Sequence, residues 1–128
     1  MRGLSINEPW ASMIIHGQKT IEIRTWKTKY RGPIMICVSQ KPPAPLAGKA
    51  AAIVELIDCR PMTPADEDAS GGVKCEPGRY AWILSKIKKI KPFPIKGKLG
   101  LFFLTKFEIE QAGMTVQDVD KYIPRRIK

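Results

Sequence analysis

The sequence predicts a mainly β domain of the α+β class, a small barrel or curled sheet of about six strands with two helices, one early and one near the C-terminus. Three observations lead there. The chain has 128 residues, 44% of them hydrophobic and 27% charged, which fits one globular domain with its own core. Short apolar runs of strand length recur along it, bounded by Gly and Pro clusters. Only two stretches carry a helical pattern, so closure or curling of the sheet is the economical way to hide its edges.

The elements follow in order. Residues 4–6 read as a first strand. Asn7, Glu8 and Pro9 then start a helix, with Asn7 as the cap, Glu8 suited to the positive end and Pro9 tolerated in the first turn. Trp10, Met13 and Ile14 fall at helical spacing and are expected to face the core. Gly17 ends the helix, and His16 before it suits a capping position at the negative end. Residues 20–26 alternate, with Ile21 and Ile23 on one face and Thr20, Glu22, Arg24 and Trp26 on the other. Arg31, Gly32 and Pro33 read as a turn. Residues 34–38 form a buried strand with Cys37 inside it, and 40–48 form a proline-rich loop.

Residues 51–59 are the next strand. Residues 60–79 form a long loop with the acidic cluster Asp66, Glu67 and Asp68 and a short helix near 64–69. Residues 80–90 are a strand on which Trp82, Leu84, Lys86 and Lys88 are expected to share a face. Pro92 and Pro94 read as a connection ending at Gly97. Residues 99–107 are a last strand, with Phe102, Phe103 and Phe107 in the core or against the helix predicted over 109–122, for which Thr115 is the expected cap.

The net charge of +10, from 22 Lys and Arg against 12 Asp and Glu, favours a polyanionic partner such as nucleic acid. No apolar run approaches the ~20 residues of a membrane span, so no membrane role is expected. The opening Met-Arg-Gly-Leu-Ser-Ile has no apolar signal core. Cys37, Cys59 and Cys75 are an odd set without a C-x-x-C pair, which suits the cytoplasm. No His/Cys cluster has ligand spacing, so neither metal nor cofactor is expected. The single histidine leaves no two-histidine acid–base pair within one chain.

The chemistry concentrates in Gly17-x-Lys19-x-x-Glu22-x-Arg24-x-Trp26. A guanidinium grips phosphates or base edges with two parallel bonds. A carboxylate can accept from an exocyclic amine, as from cytosine N4. Trp10, Trp26 and Trp82 are candidate stacking surfaces. The lysines between 86 and 98, with no acid among them, read equally as a phosphate-tracking stripe and as solvated residues that blunt a sheet edge. Lys121, Arg125, Arg126 and Lys128 are further candidates for phosphate contact.

Pro9-Trp10, the G-x-K-x-x-E-x-R-x-W motif and Arg31-Gly32 together resemble the ASCH domain, a relative of the PUA fold. Lys41-Pro42, the stretch Val-Glu-Leu-Ile-Asp-Cys at 54–59, and Pro-Phe-Pro-Ile-Lys-Gly at 92–97 extend the resemblance from Leu4 to about Leu104. It implies a PUA-like β-barrel, here residues 1–107, with a cleft floored by the motif; residues 108–128 lie outside the resemblance and read as a basic, helical extension. It also implies nucleic-acid binding, RNA ahead of DNA. Together with the stacking candidates and the lysine stripe, the expected binding set is Trp10, Lys19, Glu22, Arg24, Trp26, Lys41, Trp82, Lys86 and Lys88.

A second implication is hydrolysis of RNA or of a modified nucleoside. One bacterial branch of the family is an amidohydrolase acting on N4-acetylcytidine, and another member has been linked to ribonuclease activity. Lys19 matches the amidohydrolase lysine, but Glu22 stands where that branch has its threonine. Lys19 and Glu22 are then the catalytic pair, with Thr20 and Glu67 as weaker candidates. A nucleoside-like small molecule is the ligand on that reading, and an acidic protein partner is a third.

Overall fold

The computed structural model describes residues 1–114. Its strands are β1 (Arg2–Ile6), β2 (Ile21–Arg24), β3 (Gly32–Val38), β4 (Lys49–Pro61), β5 (Tyr80–Pro94) and β6 (Leu101–Phe103). Two short helices, α1 (Trp10–Ile15) and α2 (Lys106–Gln111), and a 3₁₀ turn over Pro64–Asp66 complete it. The strands form one sheet in the order β2-β5-β4-β3-β1-β6, curled into a half-barrel. β1 and β3 run parallel, and every other pair is antiparallel. This is the mainly β architecture of about six strands with two short helices that the sequence predicts.

Alternation along β3 divides its side chains between two core layers, and a third, smaller cluster joins Ile21, Met62 and Ala81. Ile34, Ile36 and Val38 of β3 pack with Leu4, Ile6, Trp82 and the α1 residues Ala11, Ile14 and Ile15. Met35 and Cys37 point to the other face, where Phe93, Ile95, Phe102 and Ile109 cover them. Every residue of β3 is buried, as expected of a strand with cover on both faces. Gly3 leaves room for the Phe102 ring of the second layer: a Cβ there would stand 2.4 Å from it.

Several local expectations are corrected. Pro9, not Asn7, occupies the helix N-cap, and Glu8 accepts from the Ser12 N–H at 2.7 Å. α1 turns Ala11, Ile14 and Ile15 inward and leaves Trp10 39% exposed, because the helix lies one position round from the predicted face. Gly32 and Pro33 belong to β3 rather than to a turn.

β5 continues through Pro92 and Pro94. Among the described residues β2 pairs only with Tyr80–Ile83, and Leu84 N–H adds one bond to Thr20 O at 2.9 Å, so beyond that point one edge of β5 has no strand partner among them. Phe93 pairs with Ala50 and Ile95 N–H reaches Gly48 O at 3.0 Å. The prolines therefore alternate with the bonded residues, where a missing N–H costs nothing.

The expected lysine face is broken as well. β5 bulges between Ser85 and Lys88, with Lys86 in the left-handed region at φ 51. A bulge resets alternation, so Ile87 rejoins the face of Trp82 and Leu84. Lys88 instead pairs with Ile53, which belongs to the other core layer.

β6 is only three residues long, and Phe107 lies in α2 rather than in a strand. That helix is capped by Thr105, whose hydroxyl accepts from Glu108 N–H at 3.1 Å while the Glu108 carboxylate accepts from Thr105 N–H at 2.8 Å. The predicted Thr115 cap and the basic Lys121, Arg125, Arg126 and Lys128 lie outside the described residues.

Candidate functional site

The site is built where α1 hands over to β2. Gly17 turns the chain at φ 78, a conformation that a Cβ disfavours. Gln18 and Lys19 N–H then fold back onto Met13 O at 2.8 and 3.0 Å. That return sends the Lys19 side chain inward, where only 1% of the residue stays exposed.

The loop after the 3₁₀ turn closes over it. Thr20 and Ile21 N–H both bond Ala69 O, at 2.9 and 3.1 Å, and the next carbonyl, that of Ser70, accepts from Lys19 Nζ. The loop is pinned at its base by a two-pronged pair. The Arg60 guanidinium donates to both Asp66 oxygens at 2.7 Å, and Asp66 also accepts from Thr63 N–H at 2.8 Å. These bonds hold the Asp66 carboxyl far below the usual carboxylate range, the Arg60 bonds being the leading cause.

β2 supplies the rest through its period of two. Glu22 and Arg24 share a face, as predicted. Glu22 is buried and uses both oxygens internally. Oε1 lies 3.4 Å from Lys19 Nζ, and Oε2 accepts from Arg24 Nε at 2.9 Å. Arg24 also donates to Ser5 O at 2.9 Å. One carboxylate between two cations leaves the row net positive. Burial pushes the Lys19 ammonium below its ordinary value, Glu22 pulls it back, and Arg24 adds a smaller downward push.

Lys19, Glu22 and Arg24 line a cleft of about 380 Å³ with Trp10, Asn7, Ser5, Thr25 and Arg79. An ammonium has three donors and a guanidinium five. Internal partners take two from Lys19 and two from Arg24, so donors remain for a ligand. The polar floor and the half-exposed indole of Trp10 make this a site for a flat, electron-rich, hydrogen-bonding ligand.

Of the residues singled out in the sequence, Trp10, Lys19, Glu22 and Arg24 come together, and the others do not. Trp26 stands beside the cleft without lining it and packs edge-on against Trp82, ring centres 4.7 Å apart. Trp82 is wholly buried and donates its Nε1–H to Trp26 O at 3.2 Å. It braces the core and has no face to offer a base. Lys41 is exposed on the loop after β3 and is not part of the cleft wall.

Lys86 pairs with Glu55 at 3.5 Å, and with Lys88 it borders a separate depression beside Pro33 and Met114. Thr20 is exposed, and among the described residues its hydroxyl has no protein partner. The Glu67 carboxylate accepts from Cys75 N–H at 2.7 Å. His16 sits at the C-cap of α1, its Nδ1 3.3 Å from Lys89 Nζ.

Ser5, Asn7, Ser70, Arg79 and the Arg60–Asp66 clamp did not emerge from the sequence. Ser5 and Ser70 act here through backbone carbonyls, which leave no trace in residue type. Only the clamp had a local signal, since Thr63-Pro-Ala-Asp66 has capping-box spacing. Among the described residues no group of three or more His, Cys, Asp or Glu could hold a metal ion, and no helix is long and apolar enough to cross a membrane.

Comparison with known proteins places this geometry in context. The family model described as ASCH domain matches residues 4–94. Activating signal cointegrator 1 from Homo sapiens is 43% identical over 42 residues, 33% of this chain and 7% of that protein. The Mus musculus protein of the same name matches equally. The chain thus matches only a small part of these relatives' length. Among solved structures, ASCH from Zymomonas mobilis aligns with TM-score 0.59 and 16% identity, covering 86% of this chain and 91% of that one. A serine-to-alanine variant of the same protein aligns with TM-score 0.63 and 16% identity, covering 86% and 92%. At that identity the likeness is one of fold.

Proposed function

This chain belongs to the ASCH domain family, and we propose that it is a nucleic-acid-binding module, with RNA as the preferred partner, that seats one unstacked base or nucleoside in the cleft between α1 and β2. The observation that carries this reading is the row Lys19–Glu22–Arg24. Glu22 is spent on holding two cations in place, so the row presents fixed donors rather than flexible surface charges. Such donors suit base carbonyls, ring nitrogens and a neighbouring phosphate. Trp10 supplies a flat wall on which a base can stack. The family is generally one of nucleic-acid-binding, PUA-like modules, and the net charge of +10 suits a polyanion. The free state of all three cysteines agrees with action in the cytoplasm.

Titration with single-stranded RNA, followed by tryptophan emission, tests the proposal. RNA should quench emission, and Trp10→Phe should remove most of the quenching. Arg24→Gln should weaken binding about 10–100-fold, the scale of ~1.5–3 kcal/mol for hydrogen bonds to charged groups. Single-stranded DNA of the same sequence should bind more weakly, because it lacks the 2′-hydroxyl. No binding of any nucleic acid at micromolar protein and low salt would sink the proposal.

One observation favours a second reading as a hydrolase. Burial lowers the Lys19 pKa, which brings its amine closer to proton-transfer duty at a carboxylate-paired site. The same titration samples, assayed for cleavage of the RNA and of acylated nucleosides, decide it. Turnover that is lost in a folded Lys19→Met variant supports catalysis, and turnover unchanged in that variant marks contamination.

A further inference from the structure

A second depression of about 700 Å³ lies on the strand end beside the cleft. Its walls are Ser39 and Gln40, just after β3, and the segment from Pro94 to Leu99. No carboxylate lines it, and among the described residues neither Lys96 nor Lys98 has a salt-bridge partner. Leu99 stands 99% exposed at its rim.

The two depressions share one residue, Ser5. Its carbonyl accepts the Arg24 guanidinium in the cleft, while its hydroxyl meets Lys98 O at 3.4 Å in the groove. The Lys96–Lys98 segment is fixed closely against it, since a Cβ on Gly97 would fall 2.3 Å from Ser5 Oγ. The strand ends agree: Ile6, in the cleft wall, pairs with Val38, in the groove wall, and Ser39 N–H bonds Ile6 O at 3.0 Å. Cleft and groove therefore meet at the ends of β1 and β3, and among the described residues the doubly paired Glu22 is the one acidic side chain that lines either of them.

We propose that the Gln40–Lys96–Lys98 groove is a second nucleotide subsite, continuous with the cleft at Ser5, which takes the flanking phosphates of a single-stranded nucleic acid whose unstacked base fills the cleft. The inference rests on the base-binding reading of the cleft and extends it to a directed strand path. Lys96 and Lys98 hold two phosphates, the uncommitted Gln40 carboxamide serves sugar or base edge, and Leu99 offers an apolar contact to the next base. A duplex cannot use the path, because its bases are not free to enter the cleft.

The test compares RNA oligonucleotides of one, three and six nucleotides on the parent, on Lys96→Glu/Lys98→Glu and on Lys86→Glu/Lys88→Glu, which makes the same charge change in the separate depression. Parent affinity should rise at least tenfold from one to three nucleotides. The Lys96/Lys98 variant should lose that gain, keep mononucleotide affinity within about twofold, and lower the salt slope by about 1.4, at ~0.7 per phosphate for two phosphates on a single strand. The Lys86/Lys88 variant should lose less than threefold.

Affinity independent of length overturns the subsite while leaving the cleft reading intact. Equal losses in the two variants overturn it in favour of undirected charge. Competition by polyglutamate at matched charge concentration overturns it in favour of an acidic protein partner. A parent that binds no oligonucleotide removes the cleft reading and the subsite together.

Discussion

Replacing Glu22 by Gln should expose what its carboxylate does inside the fold. The side chain keeps its size and one accepting oxygen but loses its charge. Lys19 is then an almost fully buried ammonium whose remaining fixed partner is the Ser70 carbonyl. Removing one member of a buried pair typically costs ~3–5 kcal/mol. The retained amide oxygen favours the lower end, about 3 kcal/mol, which for a chain of this size lowers Tm by about 10 °C.

The pH dependence is the sharper signature. The folded-state pKa of Lys19 is lowered from 10.5, with Glu22 the chief group raising it against burial. Between that lowered value and 10.5 the unfolded chain binds more protons, so stability rises with pH. Loss of the Glu22 charge drops the folded value further, and the rise begins at lower pH in the variant. Its deficit should therefore be largest at neutral pH and narrow as pH rises toward 10.5, at no more than about 1.4 kcal/mol per pH unit. Urea unfolding at half-unit pH steps measures this. A deficit under about 0.5 kcal/mol, or one that does not narrow, refutes a buried Lys19–Glu22 pair. Lys19→Met with Glu22→Leu should return to within about 1 kcal/mol of the parent, since a packed apolar pair replaces a buried ionic one at little cost.

Two further perturbations probe the frame around the cleft. Asp66 has a depressed folded-state pKa, so the stability it lends is present above the usual carboxylate range and is lost as pH falls through the folded value. Asp66→Asn should lower stability at neutral pH and flatten the acid limb of the unfolding profile, and an unchanged acid limb would show that the Arg60 clamp contributes nothing. Gly3→Ala should cost about 1–3 kcal/mol by overpacking against the Phe102 ring, with partial recovery in Gly3→Ala/Phe102→Leu; thermal unfolding of both variants measures it, and a neutral Gly3→Ala rejects the close contact.

What the sequence revealed and what it hid follow from the range of the interactions. The alternation from Ile21 to Arg24 and the turn at Gly17 are local, and both stand in the structure. The family motif pointed to Lys19, Glu22 and Arg24 together. Trp10 reads both as a core residue by helical periodicity and as a stacking candidate, and the structure leaves it half-exposed in the cleft wall.

The depth of Lys19 was not legible, because Ser70 lies far along the chain and contributes only a carbonyl. The β5 errors share one cause. A bulge at Lys86 and two prolines facing an open edge depend on which neighbour strands end where, and no window of sequence carries that. The groove at Lys96 and Lys98 was visible as charge but not as a place, since it forms only when β1, β3 and the segment after β5 meet.

The placement of β1 has a consequence for assembly order. β1 sits between β3 and β6, pairing Leu4 with Ile36 on one side and with Leu101 on the other. As the chain is made, its first strand can gain one neighbour early but must wait for nearly the whole domain before the second arrives. Until then Arg2–Ile6 is an open template with unpaired backbone groups, and so widely separated a contact forms slowly. The cation of Arg2 marks that edge during the wait: it lies 5.4 Å from the Tyr30 ring centre, just before β3, and gains the Phe103 ring at 3.8 Å only when β6 docks.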